Sequence, residues 1–259
     1  MKKSVFVVSH KNVAMPKDDM YVPIQVGQSD ENFLGYIRDN TGENIASKNP
    51  NYCELTAQYW AWKNSKADVK GLVHYRRLFG TRSNSIFTSV EARYKYVLDS
   101  TTLEKLLSSY DMIVPKAHNY YIETAYGHYK HAHHTEGLKI TREILRSDYP
   151  SYLKKYDEIL NRRKSHLLNM MITRKELFDN YSEWLFDVLG KVEKRLDISN
   201  YSVSEARVFG YISELLLDVW IECNSVNYVE LPVLYMEKQN YFKRYTVNLA
   251  RKLGLLQVK

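Results

Sequence analysis

Ser4-Val5-Phe6-Val7-Val8-Ser9 is short, rich in β-branched residues and closed by polar ones, the composition of a buried β-strand. His10 and Lys11 follow at its carboxyl end. In an open α/β sheet that edge is where ligands bind. A second strand of this kind, Asp68-Val69-Lys70-Gly71-Leu72-Val73, runs straight into His74-Tyr75-Arg76-Arg77. Around these two strands the chain alternates between strand-like and helix-like segments. Further strands are expected at 21–27, 110–115, 167–173 and 228–235. Helices are expected at 54–64, 101–109, 138–146, 152–162, 175–195 and 205–223. In the last two, apolar residues such as Leu177, Phe178, Tyr181, Leu185, Val188 and Val192 recur at helical spacing. Strands alternating with helices indicate an α/β fold.

The bulk numbers set wide limits. The 259 residues suit one large α/β domain, and 44% hydrophobic residues suffice for a sizeable core. Cys53 and Cys223 are too few for a disulfide framework and are expected to be reduced thiols in a cytoplasmic setting. The apolar run after Met1-Lys2-Lys3 is too short for a signal core, and no window approaches the ~20 apolar residues of a membrane span. The net charge of +7 and the 22 tyrosines suit nucleic acid, anionic lipid or phosphorylated small molecules. Positive residues are spread along the chain and interleaved with acidic ones, which argues against nucleic acid. A non-catalytic carbohydrate-binding module is the remaining rival from another class.

Several groups could carry chemistry. Two guanidiniums at a strand end, Arg76 and Arg77, can bind a diphosphate and neutralise a departing nucleoside diphosphate; the same pair could be a solvated basic turn. No convincing Asp-x-Asp motif for a divalent metal is present, Asp18-Asp19 being a weak substitute in a loop, so no metal site is expected. His128, His131, His133 and His134, near Glu123 and Glu136, lack a metal-ligand spacing and enclose Lys130. GxSxG, P-loop, GxGxxG and CxxC patterns are absent. Asn169 and Met170 stand where the strand at 167–173 begins, and Asn169 could bond a sugar hydroxyl or cap a turn. Arg207 and Glu214 are two turns apart on one helix and share a side. Glu214 lies among Ile212, Leu215, Leu216 and Leu217, so it is either exposed on a polar stripe or partly buried with the raised pKa of a general base.

Six blocks occur in a fixed order: Tyr21-x-Pro-Ile-x-Val-Gly27, Asp39-Asn-Thr-Gly-Glu-Asn-Ile45, Cys53-Glu-Leu-Thr-x-x-Tyr-Trp-Ala-Trp-Lys-Asn64, Gly71-Leu-x-His-Tyr-Arg-Arg77, Asn169-Met-x-Ile172 and Arg207-Val-x-Gly-Tyr-Ile-Ser-Glu214. Together they resemble the small glycosyltransferases of bacterial capsule and exopolysaccharide clusters, a family long catalogued only as a domain of unknown function. The resemblance runs from about Ser4 to about Tyr235. It implies a GT-A-like fold, a single Rossmann-type sheet with added C-terminal helices over 1–241, and transfer of a hexose, galactose as pyranose or furanose, from a UDP-sugar. It implies donor binding by His10, Asp39, Asn44, Glu54, His74, Tyr75, Arg76 and Arg77, and acceptor or sugar binding by His133, Asn169, Met170 and Arg207. Glu214 would be the base of an inverting displacement, with Asp111 in reserve. Two departures stand out: Asp39-Asn40 replaces a frequent acidic pair, and Gly137 replaces a frequent Asp.

The implied acceptor is a glycan on undecaprenyl diphosphate. The stretch 242–259, basic and amphipathic with Lys243, Arg244, Arg251, Lys252 and Lys259 among leucines, is expected either to lie on the inner face of the cell membrane or to pack on the core.

Overall fold

The computed structural model describes residues 1–27, 33–83 and 88–237; the basic stretch 242–259 lies outside them. Strand β1 (Lys3–Ser9) forms where the opening apolar run requires it, and β2 (Tyr21–Gln25) pairs beside it in parallel. Then come β3 (Ile37–Arg38), the short α1 (Asn49–Tyr52) and α2 (Leu55–Asn64). The strand β4 (Val69–His74) turns through Tyr75 and Arg76 into β5 (Arg77–Phe79). Helices α3 (Val90–Arg93) and α4 (Ser100–Leu107) precede β6 (Met112–Pro115) and β7 (His118–Asn119). Three helices follow, α5 (Ala125–Ala132), α6 (Glu136–Asp148) and α7 (Pro150–Leu160). The described part of the chain closes with β8 (Lys164–Ser165), β9 (Met171–Arg174), α8 (Lys175–Glu193), α9 (Val208–Cys223), β10 (Tyr228–Leu231) and β11 (Val233–Tyr235).

The main sheet has the order β10-β6-β9-β4-β1-β2-β3, with β5 and β11 branching from β4. β1 pairs in parallel with both β2 and β4, whereas β9 is inserted antiparallel between β4 and β6. The α/β architecture matches expectation. The antiparallel pair β7–β8, whose strands are separated in the chain by α5 to α7, forms a separate two-stranded sheet that the sequence pattern did not disclose.

Because strand side chains alternate, β1 feeds two cores. Phe6 and Val8 join Leu72, Met112 and Met171 under the helical layer of α2 and α5–α9. Val5 and Val7 join Val69, Val73 and Ile172 on the other face, closed by Leu103 and Leu107 of α4. Lys70 sits on the helical side of β4 with no exposed surface, and its ammonium donates to Asp179 of α8 at 2.6 Å. Burial pulls the Lys70 pKa down. A charged residue in a core is retained only when paired. Gly71 is needed next to it, since a Cβ there would stand 2.7 Å from Ile172 Cγ1 and 3.1 Å from the Met171 carbonyl. Two expected strands are shorter than their apolar runs. Residues 167–170 turn before β9, and Pro232, which has no N–H for a ladder, separates β10 from β11.

Candidate functional site

β1, β4 and β6 share one direction, so His10, His74 and the segment after Pro115 emerge at the same carboxyl edge. Here the chain does not continue straight past His74. It reverses, and Arg77 returns opposite His74 at the start of β5. The Arg76 amide donates to His74 Nδ1 at 3.2 Å. That bond makes Nδ1 an acceptor, so the neutral ring carries its proton on Nε2. Burial, aided by Arg77 and Arg76, lowers the His74 pKa to about 3, which keeps the ring neutral at physiological pH.

The two arginines are deployed differently. Arg76 Nε donates to Glu237 Oε1 at 3.0 Å, and its guanidinium lies 5.0 Å from the Tyr75 ring. His10 packs edge-on against the same ring at 5.3 Å. The Arg77 side chain makes no hydrogen bond or ion pair among the described residues, yet its charge acts on both His74 and Glu214.

Across from this hairpin, three segments converge. The first is Cys53–Glu54, at the amino end of α2. The second is the turn Leu168–Asn169 ahead of β9. The third is the start of α9, from Arg207 to Glu214. Asn169 Nδ2 donates to Glu54 Oε1 at 2.9 Å and to the Gly210 carbonyl at 3.0 Å, while its Oδ1 accepts from Ser213 Oγ at 2.7 Å. Arg207 Nε donates to Cys53 Sγ at 3.0 Å. Five non-glycine residues among those described have left-handed φ values, and three stand here: Cys53 at 52°, Leu168 at 82° and Asn169 at 48°. Each such conformation costs about 1–3 kcal/mol and persists only where its surroundings impose it.

Glu214 is the pivot of this cluster. Its Oε1 accepts from the Leu168 amide at 2.9 Å. Desolvation, reinforced by the neighbouring Glu54 carboxylate, raises its pKa to about 7 despite the pull of Arg77 and Arg207. Of the two readings open from sequence, the partly buried one with a raised pKa is what the structure has.

Further along α9 the wall becomes aromatic. His133, at the end of α5, stacks on Tyr211 with centroids 3.9 Å apart, and Arg207 reaches over the same ring at 6.0 Å. His134 pairs with Glu205 at 2.8 Å. The nearby Tyr120 and Tyr129 feel the Glu214 charge.

Asp39 lies behind the cluster, at the end of β3, with no exposed surface. It accepts from Thr56 Oγ1 at 2.6 Å through one oxygen, and its other oxygen has no partner. Burial raises its pKa to about 6. An orphaned buried carboxylate oxygen needs an explanation; the backbone amides of Gly27 and Asp39 and the Arg38 charge ease its ionised form.

Other candidates are not brought here. Asn44 is exposed, its amide spent on the Gly42 carbonyl and the Ala46 amide; the adjoining Glu43 pairs with Lys63 near the far end of α2 from Glu54. Asp111 precedes β6 at the opposite, amino edge of the sheet, where it accepts from the Asn227 amide at 3.2 Å. Met170 is core, packed on the other face of the sheet. Asp18 caps a turn, accepting from the Met20 and Ser100 amides. Gly137 packs against α9. Sequence reasoning missed Cys53 and Tyr211 as members of the site, although both lie inside quoted blocks.

Among the described residues no group of three His, Cys, Asp or Glu side chains could hold a metal ion, and no helix is long and apolar enough to cross a membrane. Both cysteines are free thiols. A shallow depression along α7, lined by Lys154, Asp157, Glu158 and Arg162, lies apart from the cluster, and its charges are engaged with one another, Arg142 and Glu222.

No curated protein matches this chain. A solved structure does: the apo form of WbbM, a bifunctional glycosyltransferase, superposes with a TM-score of 0.82 at 29% identity over 91% of this chain. The chain spans 45% of WbbM's length. A family model, described as "Domain of unknown function (DUF4422)", matches residues 4–225; with that much of its length covered, the chain belongs to this family.

Proposed function

We propose that the protein is a glycosyltransferase that moves a hexose, galactose in pyranose or furanose form, from UDP to a glycan on a lipid diphosphate, with inversion at the anomeric carbon. The observation that carries this reading is Glu214: a carboxylate with a pKa of about 7, hydrogen-bonded by one backbone amide and flanked by Arg77 and Arg207. A general base works best when its pKa lies near the operating pH. The likeness to WbbM supports glycosyl transfer as the reaction class.

In this mechanism Arg77 and Arg76 neutralise the departing diphosphate. Arg77 is ready for an anion, whereas the donor phosphates displace Glu237 from Arg76. The neutral His74 offers an Nε2–H as a hydrogen-bond donor. The amino ends of α2 and α9 also favour negative charge at this edge. Asp39, with its unpartnered oxygen, accepts from the nucleoside. Asn169 holds Glu54 and the α9 backbone in place rather than touching sugar. Glu214 takes the acceptor hydroxyl proton as that oxygen attacks the anomeric carbon and the bond to the UDP oxygen breaks. His133, Tyr211 and Arg207 line the acceptor side, where aromatic faces suit sugar rings.

The test is a panel of UDP-sugars assayed for thermal stabilisation and then for transfer to a lipid-linked or short synthetic glycan, with the product's anomeric configuration read by NMR. The reading expects one UDP-hexose to stabilise the protein by mass action and to yield an inverted linkage. Failure of every UDP-sugar to bind or to be consumed overturns it.

A further inference from the structure

The segment that leaves the sheet after β6 carries two of the most exposed large apolar residues in the described chain: Tyr121 is 70% and Ile122 77% exposed. Tyr126, the second residue of α5, is 37% exposed. Soluble surfaces seldom gather such residues without a use for them. Alongside runs the chain at 162–165, held by the Tyr120 amide to the Arg163 carbonyl at 2.9 Å, the Ala125 amide to the Arg162 carbonyl at 2.7 Å, and the pairing of Asn119 with Lys164. Arg163 and Lys164 are exposed, and neither forms a salt bridge among the described residues. The neighbouring carboxylate, Glu123, faces His128 and His131, 3.6 Å from each. Lys116 and Lys130, in the same stretch of chain, are exposed as well.

An apolar tip between two tyrosines, beside two exposed cations that form no salt bridge among the described residues, has the chemistry of a bilayer interface. Tyrosine prefers the headgroup level, isoleucine enters the acyl boundary, and Arg and Lys are drawn to anionic headgroups. We infer that Tyr121, Ile122 and Tyr126, with Arg163 and Lys164, dock the protein on an anionic lipid surface. The position of the patch gives docking a purpose. Residues 116–126 follow the carboxyl end of β6, the same edge of the sheet at which His10 and His74 emerge. A lipid surface touching Ile122 therefore lies on the side of the molecule to which that edge opens. This deepens the lipid-linked acceptor reading, and it assigns the contact to the 116–126 loop independently of residues 242–259.

The experiment is co-sedimentation of the full chain with phosphatidylcholine vesicles containing one quarter phosphatidylglycerol, with no donor or acceptor present. Pure phosphatidylcholine and raised salt are the comparison arms. The wild type should bind the anionic vesicles and lose binding in both comparison arms. Ile122→Ser and the double variant Arg163→Gln/Lys164→Gln should each weaken partitioning by roughly tenfold or more, with unchanged circular dichroism and thermal midpoint, as expected for exposed positions. Wild-type binding that both variants retain, or no wild-type binding to anionic vesicles, overturns the inference. Neither outcome touches the transfer reading, which is measured with a water-soluble acceptor.

Discussion

The backbone amide of Leu168 donates to Oε1 of Glu214 at 2.9 Å across 46 positions of sequence. Leu168 reaches it only by adopting a φ of 82°, so the turn before β9 is bent to hold the carboxylate of α9. Glu214 is thereby fixed in direction while its second oxygen takes no hydrogen bond from any described residue.

If that oxygen is the base, Glu214→Gln should lower turnover by about a hundred- to ten-thousandfold and leave the donor-induced thermal shift intact. The wild-type rate should rise with pH through about 7, as the base must be ionised, and the variant's residual rate should lose that limb. The folded pKa lies above the ordinary carboxylate value of 4.5, so Glu214's contribution to stability is full below pH 4.5 and is lost as pH rises to about 7. Glutamine has no such loss, and the variant should melt higher than wild type at pH 8. A pH–rate profile and paired melts check both halves.

Arg77 and Arg76 should separate. Arg77 gives up no partner to meet a diphosphate, whereas Arg76 must leave Glu237. A hydrogen bond to a charged group is worth about 1.5–3 kcal/mol. Arg77→Ala should therefore weaken UDP binding by about ten- to a hundredfold, and Arg76→Ala by less. Glu237→Gln should tighten binding by freeing Arg76. Calorimetric titration of UDP into the three variants decides; an order of Arg76 above Arg77 would reverse the assignment.

Much of the fold was legible because it depends on local pattern. The apolar β-branched runs of β1 and β4 and the helical periodicity of α8 can be satisfied in few other ways. What escaped depends on contacts between distant segments. Leu167-Leu168-Asn169-Met170 is as apolar as a strand, and only the pull of Glu214 and the three bonds of the Asn169 amide make it a turn. Arg207 and Glu214 could be placed on one side of a helix by spacing alone. That Cys53 would receive the Arg207 guanidinium could not be, since 154 positions separate them. Asp111 looked equivalent to other strand-flanking carboxylates, and only strand direction, which spacing does not encode, sends it to the opposite edge.

A buried cluster outside the mechanism should govern stability in alkali. His166 lies between Asp218, which its ring Nδ1 and backbone amide both meet, and Glu230, 3.2 Å from Nε2. Burial alone would lower its pKa, but the bonds and charges of Asp218 and Glu230 more than offset this and raise it. A histidine with a raised folded pKa gives its full stabilisation below the ordinary value of 6.5, and that stabilisation fades as pH climbs through the folded value. The melting temperature of Glu214→Gln, freed of the acidic-side loss, should therefore still fall above pH 6.5. Adding His166→Asn should lower stability near pH 6 and flatten the remaining slope. Melts of the single and double variants between pH 5 and 9 measure it.

Gly137 tests how tightly α6 packs against α9. It is the second residue of α6, and a Cβ there would lie 2.8 Å from Ile212 Cδ1, 3.3 Å from Val208 Cγ2 and 3.4 Å from Leu196 Cδ2. The nearest atom is the end of a flexible side chain, so alanine can be admitted by a small shift of Ile212. Its helix preference over glycine, about 1 kcal/mol, offsets that strain, and Gly137→Ala should be close to neutral. Aspartate gains a favourable place in the first turn of a helix, worth at most about 1 kcal/mol at an exposed site. It would, however, put a carboxylate against three aliphatic side chains. An uncompensated buried charge costs several kcal/mol, so Gly137→Asp should lower the urea midpoint sharply at pH 8 and less at pH 4, where the carboxyl can protonate. Where enough variant remains folded, UDP binding should be unchanged, because Gly137 touches α9 on the side away from Arg77. A Gly137→Asp protein as stable as wild type would mean that α6 and α9 can separate.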